Sequence, residues 1–141
     1  MQILIVALGA EGALERADER AGRIGRQVGS YLVTKCLGRG GMGAVYQAEH
    51  PAIGSKVALK FLHKRYAADP GIVERFFNEA RAVNLIGHEN VVRVSDFATA
   101  DDGSPYFVME FLEGKPLSAW VGSPRALGEI GPVMLQVADG L

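Results

Sequence analysis

The residues with the clearest chemistry lie in "LGRGGMGAVYQAEH", residues 37–50, where Gly38, Gly40 and Gly43 fall in G-x-G-x-x-G order. Residues without side chains let backbone N–H groups come close to phosphate oxygens. In a dinucleotide-binding fold the third glycine opens a helix, whose N-terminus holds a pyrophosphate. Here "AVYQAE" follows Gly43 and reads as a strand, so the loop would lie as a flap between two strands, over a run of phosphates. No G-K-[ST] ending is present, which excludes a Walker loop. Taken alone, the three glycines are equally well a plain turn.

Two charged residues sharpen the reading. Lys60 stands in "KVALKFL", on the side of a strand shared with Ala58 and Leu62. An ammonium on an apolar face is costly unless it is paired; the plainer alternative is an edge lysine whose stem snorkels to water. Glu79 stands on the apolar stripe of the next helix, three residues after Phe76 and four before Val83. Charged groups seldom face a core without a partner, so Lys60 and Glu79 are best explained by each other. The bland alternative for Glu79 is a position on the rim of an amphipathic helix.

The elements that would position these residues can be read from periodicity. "SYLVTKCLG" and "AVYQAEH" are strands on either side of the glycine loop, and "HPAIGS" is a turn-rich break before the strand carrying Lys60. In that strand Val57, Leu59 and Phe61 share the face opposite Lys60. "DPGIVERFFNEARAVNLIGH" is a helix with Asp69 as N-cap, Pro70 at its first position and Gly87 as C-cap. Its stripe is Ile72, Phe76, Val83 and Ile86. "NVVRVSDF" and "SPYFVMEFL" are two further strands joined by the hairpin turn "ATADDG". Residues 1–28 are charged and glycine-punctuated and read as a flexible leader or a short helix. Near the other end Ile130, Val133 or Met134, Val137 and Leu141 share one helical face.

Composition removes several function classes. The 141 residues are 48% hydrophobic, enough for a packed core of one domain. Fifteen basic against 16 acidic residues leave a net charge of −1, which offers no general footprint for nucleic acid or an anionic membrane. The apolar run after Met1 is far short of the ~20 residues a spanning helix needs. The single cysteine, Cys36, excludes an internal disulfide and reads as a small packing residue in a reducing, cytoplasmic setting. His50, His63 and His88 read as loop or helix-end residues, with no metal-ligand spacing.

The ordered set "LGRGGMGAVYQAEH", "KVALK", "FFNEARAV" and "YFVMEFLEG" resembles the N-terminal lobe of a bacterial, eukaryotic-like serine/threonine protein kinase, from about residue 30 onward. The resemblance implies an α+β fold: a five-stranded antiparallel sheet with one packed helix, residues 29–112, followed by the hinge exit and the incomplete start of a helical lobe, residues 113–141. It implies ATP as cofactor and a protein substrate in the full-length family. Leu37, Gly38, Arg39, Gly40, Gly41, Met42 and Gly43 would form the flap over the phosphates. Val45 and Ala58 would sandwich the adenine. Lys60 would hold the α- and β-phosphates and pair with Glu79. Met109 matches the gatekeeper, and Glu110 and Leu112 match hinge positions whose backbone groups bond adenine. Val83 and Val94 match spine positions.

The resemblance also shows what residues 1–141 lack. Phosphoryl transfer in this family needs a catalytic Asp in an H-R-D-type loop and a D-F-G Asp for magnesium, and neither motif is present. Asp96-Phe97 is followed by Ala98 and precedes the hinge, so it is a coincidence of the strand it occupies. Magnesium would bind only with the missing lobe, and the stretch by itself is expected to be inactive. The apolar face of residues 130–141 would invite association. A non-catalytic nucleotide-binding or kinase-interaction module stays open as an alternative.

Overall fold

The computed structural model describes residues 22–114; the leader up to residue 21 and everything from residue 115, including the apolar face of residues 130–141, lie outside the described residues. Six strands form one antiparallel sheet, and one α-helix packs on it. They are Gln27–Val28 (β1), Tyr31–Arg39 (β2), Gly43–Glu49 (β3), Lys56–Leu62 (β4), Val94–Thr99 (β5) and Pro105–Glu110 (β6), with Pro70–Ile86 (α1) between β4 and β5. The order across the sheet is β1-β2-β3-β4-β6-β5.

The sixth strand corrects the expectation of five. Gly29, at φ 56, and Ser30 turn the chain back, so Val28 pairs with Tyr31 and Gln27 with Leu32. A positive φ is open to glycine at little cost, and the end of the expected leader becomes an edge strand. Val28 is buried in the core as a result.

Alternation along β4 splits the core into two layers, as period-2 geometry requires. Leu59 and Phe61 join Val33, Tyr46 and Val108 on the outer face, with Val57 packed against them. Ala58 and Leu62 join Val45, Phe107 and Met109 on the inner face, which α1 covers with Phe76 and Ala80.

Helix α1 begins where its sequence demands. The Asp69 carboxylate accepts hydrogen bonds from the N–H groups of Gly71 (2.9 Å) and Ile72 (3.2 Å), and Pro70 occupies the first turn. It ends at Gly87, whose φ of 60 is a left-handed cap. The expected stripe is right in part. Phe76 is buried, and Ile72 and Val83 pack against the inner layer, whereas Ile86 is 62% exposed. It belongs to the last turn, beside the still more exposed Leu85, and joins neither core layer.

Candidate functional site

The inner face of the sheet brings together residues distant in sequence. Val45 lies opposite Lys60 across β3 and β4, and Ala58 lies opposite Met109 across β4 and β6. Val45, Ala58 and Met109 are all buried in the layer beneath α1, and Leu112 packs against it. These four form an apolar wall, with Lys60 as its charged member.

Lys60 is 8% exposed, yet its ammonium is not stranded. Its Nζ donates to Glu79 Oε1 at 2.8 Å, from a side chain 10% exposed to one 50% exposed. It also lies 5.6 Å from the centroid of Phe107, its cross-strand neighbour. Glu79 is therefore half in solvent rather than on the buried stripe, and it reaches Lys60 from the side of the helix. Partial exposure limits the Coulomb gain. The buried lysine nevertheless depends on the pair, since losing its partner would leave a desolvated charge.

Two contacts seat α1 so that Glu79 can reach. The Phe76 ring packs on Phe107 at 4.9 Å between centroids. Phe76 lies one turn before Glu79, so the ring pair sets the height of the carboxylate above β4. At the other end Asn84 bonds both backbone groups of Val94: its Oδ1 accepts from the Val94 N–H at 2.9 Å, and its amide donates to the Val94 carbonyl. Sequence reasoning assigned nothing to Asn84. A polar residue late in an amphipathic helix was its only signal.

The glycine loop is a tight strand connection. Gly40 N–H donates to the Gly43 carbonyl at 2.8 Å. Gly43 is required by packing: a Cβ there would lie 2.1 Å from the Phe61 carbonyl oxygen of β4. Gly41, in contrast, faces open space. The β2–β3 register slips between Cys36 and Gly38, which leaves Leu37 out of the ladder and 42% exposed, with Met42 46% exposed at the loop tip. Cys36 packs against the outer layer.

His63 lies in a connection, as expected, but it is buried and engaged with the loop. Its Nε2 is 2.9 Å from the Gly40 carbonyl, and its backbone N–H donates to the Met42 carbonyl at 2.8 Å. The Arg65 guanidinium donates to the Gly41 carbonyl at 2.9 Å. The segment after β4 thus ties down the glycine loop, a role that no spacing in the sequence announced. His50 and His88 make local turn contacts, accepting at Nδ1 from the N–H groups of Ala52 and Asn90.

At the end of β6, Glu110 uses its side chain and its backbone N–H on Arg93, accepting from the Arg93 N–H at 2.9 Å and donating to the Arg93 carbonyl at 3.0 Å. Asp96 accepts from the N–H of the adjacent Phe97 at 2.8 Å, and Phe97 stacks on Phe77 of α1 at 5.1 Å, so this pair stays with the strand and the helix. Among the described residues, no group of three or more His, Cys, Asp or Glu could hold a metal. No described helix is long and apolar enough to cross a membrane.

Comparison with known proteins agrees with this geometry. The protein kinase domain family matches residues 31–141. Serine/threonine-protein kinase Pkn1 of Myxococcus xanthus is 49% identical over 144 residues, covering 91% of this chain and 21% of that protein. PrkC of Bacillus subtilis, also a serine/threonine-protein kinase, is 36% identical over 99 residues, covering 70% of this chain and 15% of that protein. The crystal structure of the Mycobacterium tuberculosis PknI kinase domain matches with a TM-score of 0.60 and 27% identity, over 82% of this chain and 49% of that one. The chain therefore spans about a fifth of the Myxococcus relative and about half of a solved kinase domain. Together with an antiparallel sheet that carries a single helix on its inner face, these likenesses mean that the chain belongs to the protein kinase domain family and that its described residues form the N-terminal lobe of a serine/threonine-type kinase domain.

Proposed function

We propose that this lobe binds ATP on the inner face of the sheet and, within a complete kinase domain, presents it for phosphoryl transfer to serine or threonine of a protein. The observation that carries the reading is the buried Lys60 held at 2.8 Å by Glu79 beside an apolar wall. The donor set suits the ligand: one fixed cation for phosphate oxygens, and small or flexible apolar side chains for a planar base.

In this reading Lys60 orients the α- and β-phosphates, and Glu79 positions Lys60. Leu37, Gly38, Arg39, Gly40, Gly41, Met42 and Gly43 form the flap that covers them. Val45 and Ala58 enclose the adenine, Met109 limits the depth of its pocket, and backbone groups of Glu110 and Leu112 bond its edge. ATP supplies the transferable phosphoryl group. Magnesium belongs with the H-R-D and D-F-G segments that residues 1–141 do not contain, so this stretch by itself binds nucleotide without transferring phosphate. A cytoplasmic setting, where ATP is available, goes with this role.

Isothermal titration of the chain with ATP tests it. Weak binding is expected, reduced about tenfold or more in Lys60→Ala, a loss of ~1.4 kcal/mol or more. Unchanged affinity in the variant would reject the clamp. A radiolabelled-phosphate transfer assay on the chain alone should read zero.

A further inference from the structure

The outer face of the sheet, opposite α1, carries a cavity of about 200 Å³ that the nucleotide reading does not use. Arg23 and Arg26 from the turn before β1, Arg39 at the end of β2, and His63 and Lys64 after β4 line it, with Asp102 from the β5–β6 turn. Among the described residues, four permanent cations thus face one carboxylate, in a chain whose net charge is −1.

Two of the cations are built in. The Arg23 guanidinium lies 4.0 Å over the Phe61 ring, donates to Ser104 Oγ at 2.8 Å and pairs with Asp102 Oδ2 at 3.2 Å. Ser104 is fully buried, so this fork is fixed against the core. Arg39 donates to the Tyr46 hydroxyl at 3.0 Å. The other two are held less. Arg26 and Lys64 are exposed, and neither side chain has a hydrogen-bond or ion-pair partner among the described residues. Like charges gathered in a concavity repel one another, and a bound anion relieves that cost. Asp102 offsets only part of this charge: it pairs with Arg23 at 3.2 Å and feels the charge of Lys64, one carboxylate against four cations among the described residues.

We propose that this cavity is a binding site for a tetrahedral phosphate-type oxyanion, separate from the nucleotide face. Arginine forks and a lysine point charge suit a dianion with several acceptor oxygens. The ligand is either free phosphate or a phosphorylated side chain. The site backs onto the glycine loop, since Arg39 precedes Gly40 and His63 reaches the Gly40 carbonyl.

The test is an amide and arginine NMR titration of the chain with sodium phosphate and, separately, with O-phospho-L-serine, at constant ionic strength. Saturable shifts are expected around Arg23, Arg26, Arg39 and Lys64. The double variant Arg26→Glu, Lys64→Glu should weaken binding by about tenfold or more. The milder Arg26→Ala, Lys64→Ala should fall between it and the wild type. Both pairs are exposed, so an unchanged circular dichroism spectrum is expected. Lys60→Ala should leave the anion affinity intact, which separates this site from the nucleotide clamp whether or not the clamp exists. Tighter binding of phosphoserine than of phosphate identifies a modified side chain as the ligand; equal binding identifies the free ion. The absence of saturation with both probes would overturn the proposal. So would an equal loss on reversing two distant charges, Lys56→Glu and Arg75→Glu.

Discussion

Lys60 is a charge placed in the apolar layer of Ala58 and Leu62, and two neighbours make that tolerable: Glu79 at its Nζ and the Phe107 ring beside it. The alternation in "KVALKFL" made the inward lysine legible, and a carboxylate at helical spacing from Phe76 made its partner legible. The half-exposed position of Glu79 was not legible, because helical phase shows a face but not where the sheet ends beneath it. Glu79→Gln keeps the shape and removes the charge. It should lower ATP affinity about three- to tenfold while moving the thermal midpoint by less than about 5 °C, since the carboxylate is half in water. A large midpoint shift with unaltered ATP affinity would assign the pair to stability alone. Gly43 offers a second test at this scale. A Cβ there meets the Phe61 carbonyl at 2.1 Å, whereas one on Gly41 meets nothing. Urea unfolding should show Gly43→Ala destabilised by about 2–4 kcal/mol and Gly41→Ala nearly neutral. Equal effects would contradict the packing reason for the third glycine.

At the scale of elements, α1 matters as a lever that carries Glu79. Its start and stop were readable from Asp69, Pro70 and Gly87, because caps are local chemistry. Its anchorage was not, because the Asn84 bonds to Val94 depend on how the helix lies across β5. Asn84→Ala leaves two backbone groups of Val94 without their partner, at a cost of about 1–3 kcal/mol. If the lever view holds, this variant also weakens ATP binding, although the hydrogen bonds of Asn84 go to Val94 and not to the proposed nucleotide residues. Retained affinity at reduced stability would confine Asn84 to the fold. The short β1 was missed for a related reason. Two residues are too few for a periodic signal, and only the Gly29-Ser30 turn hinted that the chain folds back. The outer cavity has no local signature for the same reason, since its arginines at positions 23 and 26 precede that strand.

For the whole lobe, the outer layer and the β5–β6 turn predict a pH range of stability with distinct limbs. Burial raises the Tyr46 and Tyr106 phenols above their usual 10.0, so their contribution is intact below pH 10 and is lost as pH rises through the raised native values. At Asp102 burial acts upward, but hydrogen bonds from Ser104 and the charges of Arg23 and Lys64 outweigh it and hold the carboxyl below its usual 3.8. Its contribution is present above that value and fades as pH falls through the lowered native one. Thermal melts should therefore form a plateau with an acid limb softened by Asp102→Asn and an alkaline limb softened by Tyr106→Phe. Limbs that neither variant moves would remove these groups from the account. The sheet-and-helix plan was legible because alternation, capping and turn residues agreed with one another. Ties between distant segments, such as His63 to Gly40 or Arg23 to Ser104, had no local signature.

The most direct measurement compares ATP with adenosine on the wild-type chain and on Lys60→Met. A cation aimed at phosphates beside an apolar base pocket predicts that the substitution lowers ATP affinity about tenfold or more and leaves adenosine affinity as it was. Equal losses for both ligands, or none for either, would contradict it.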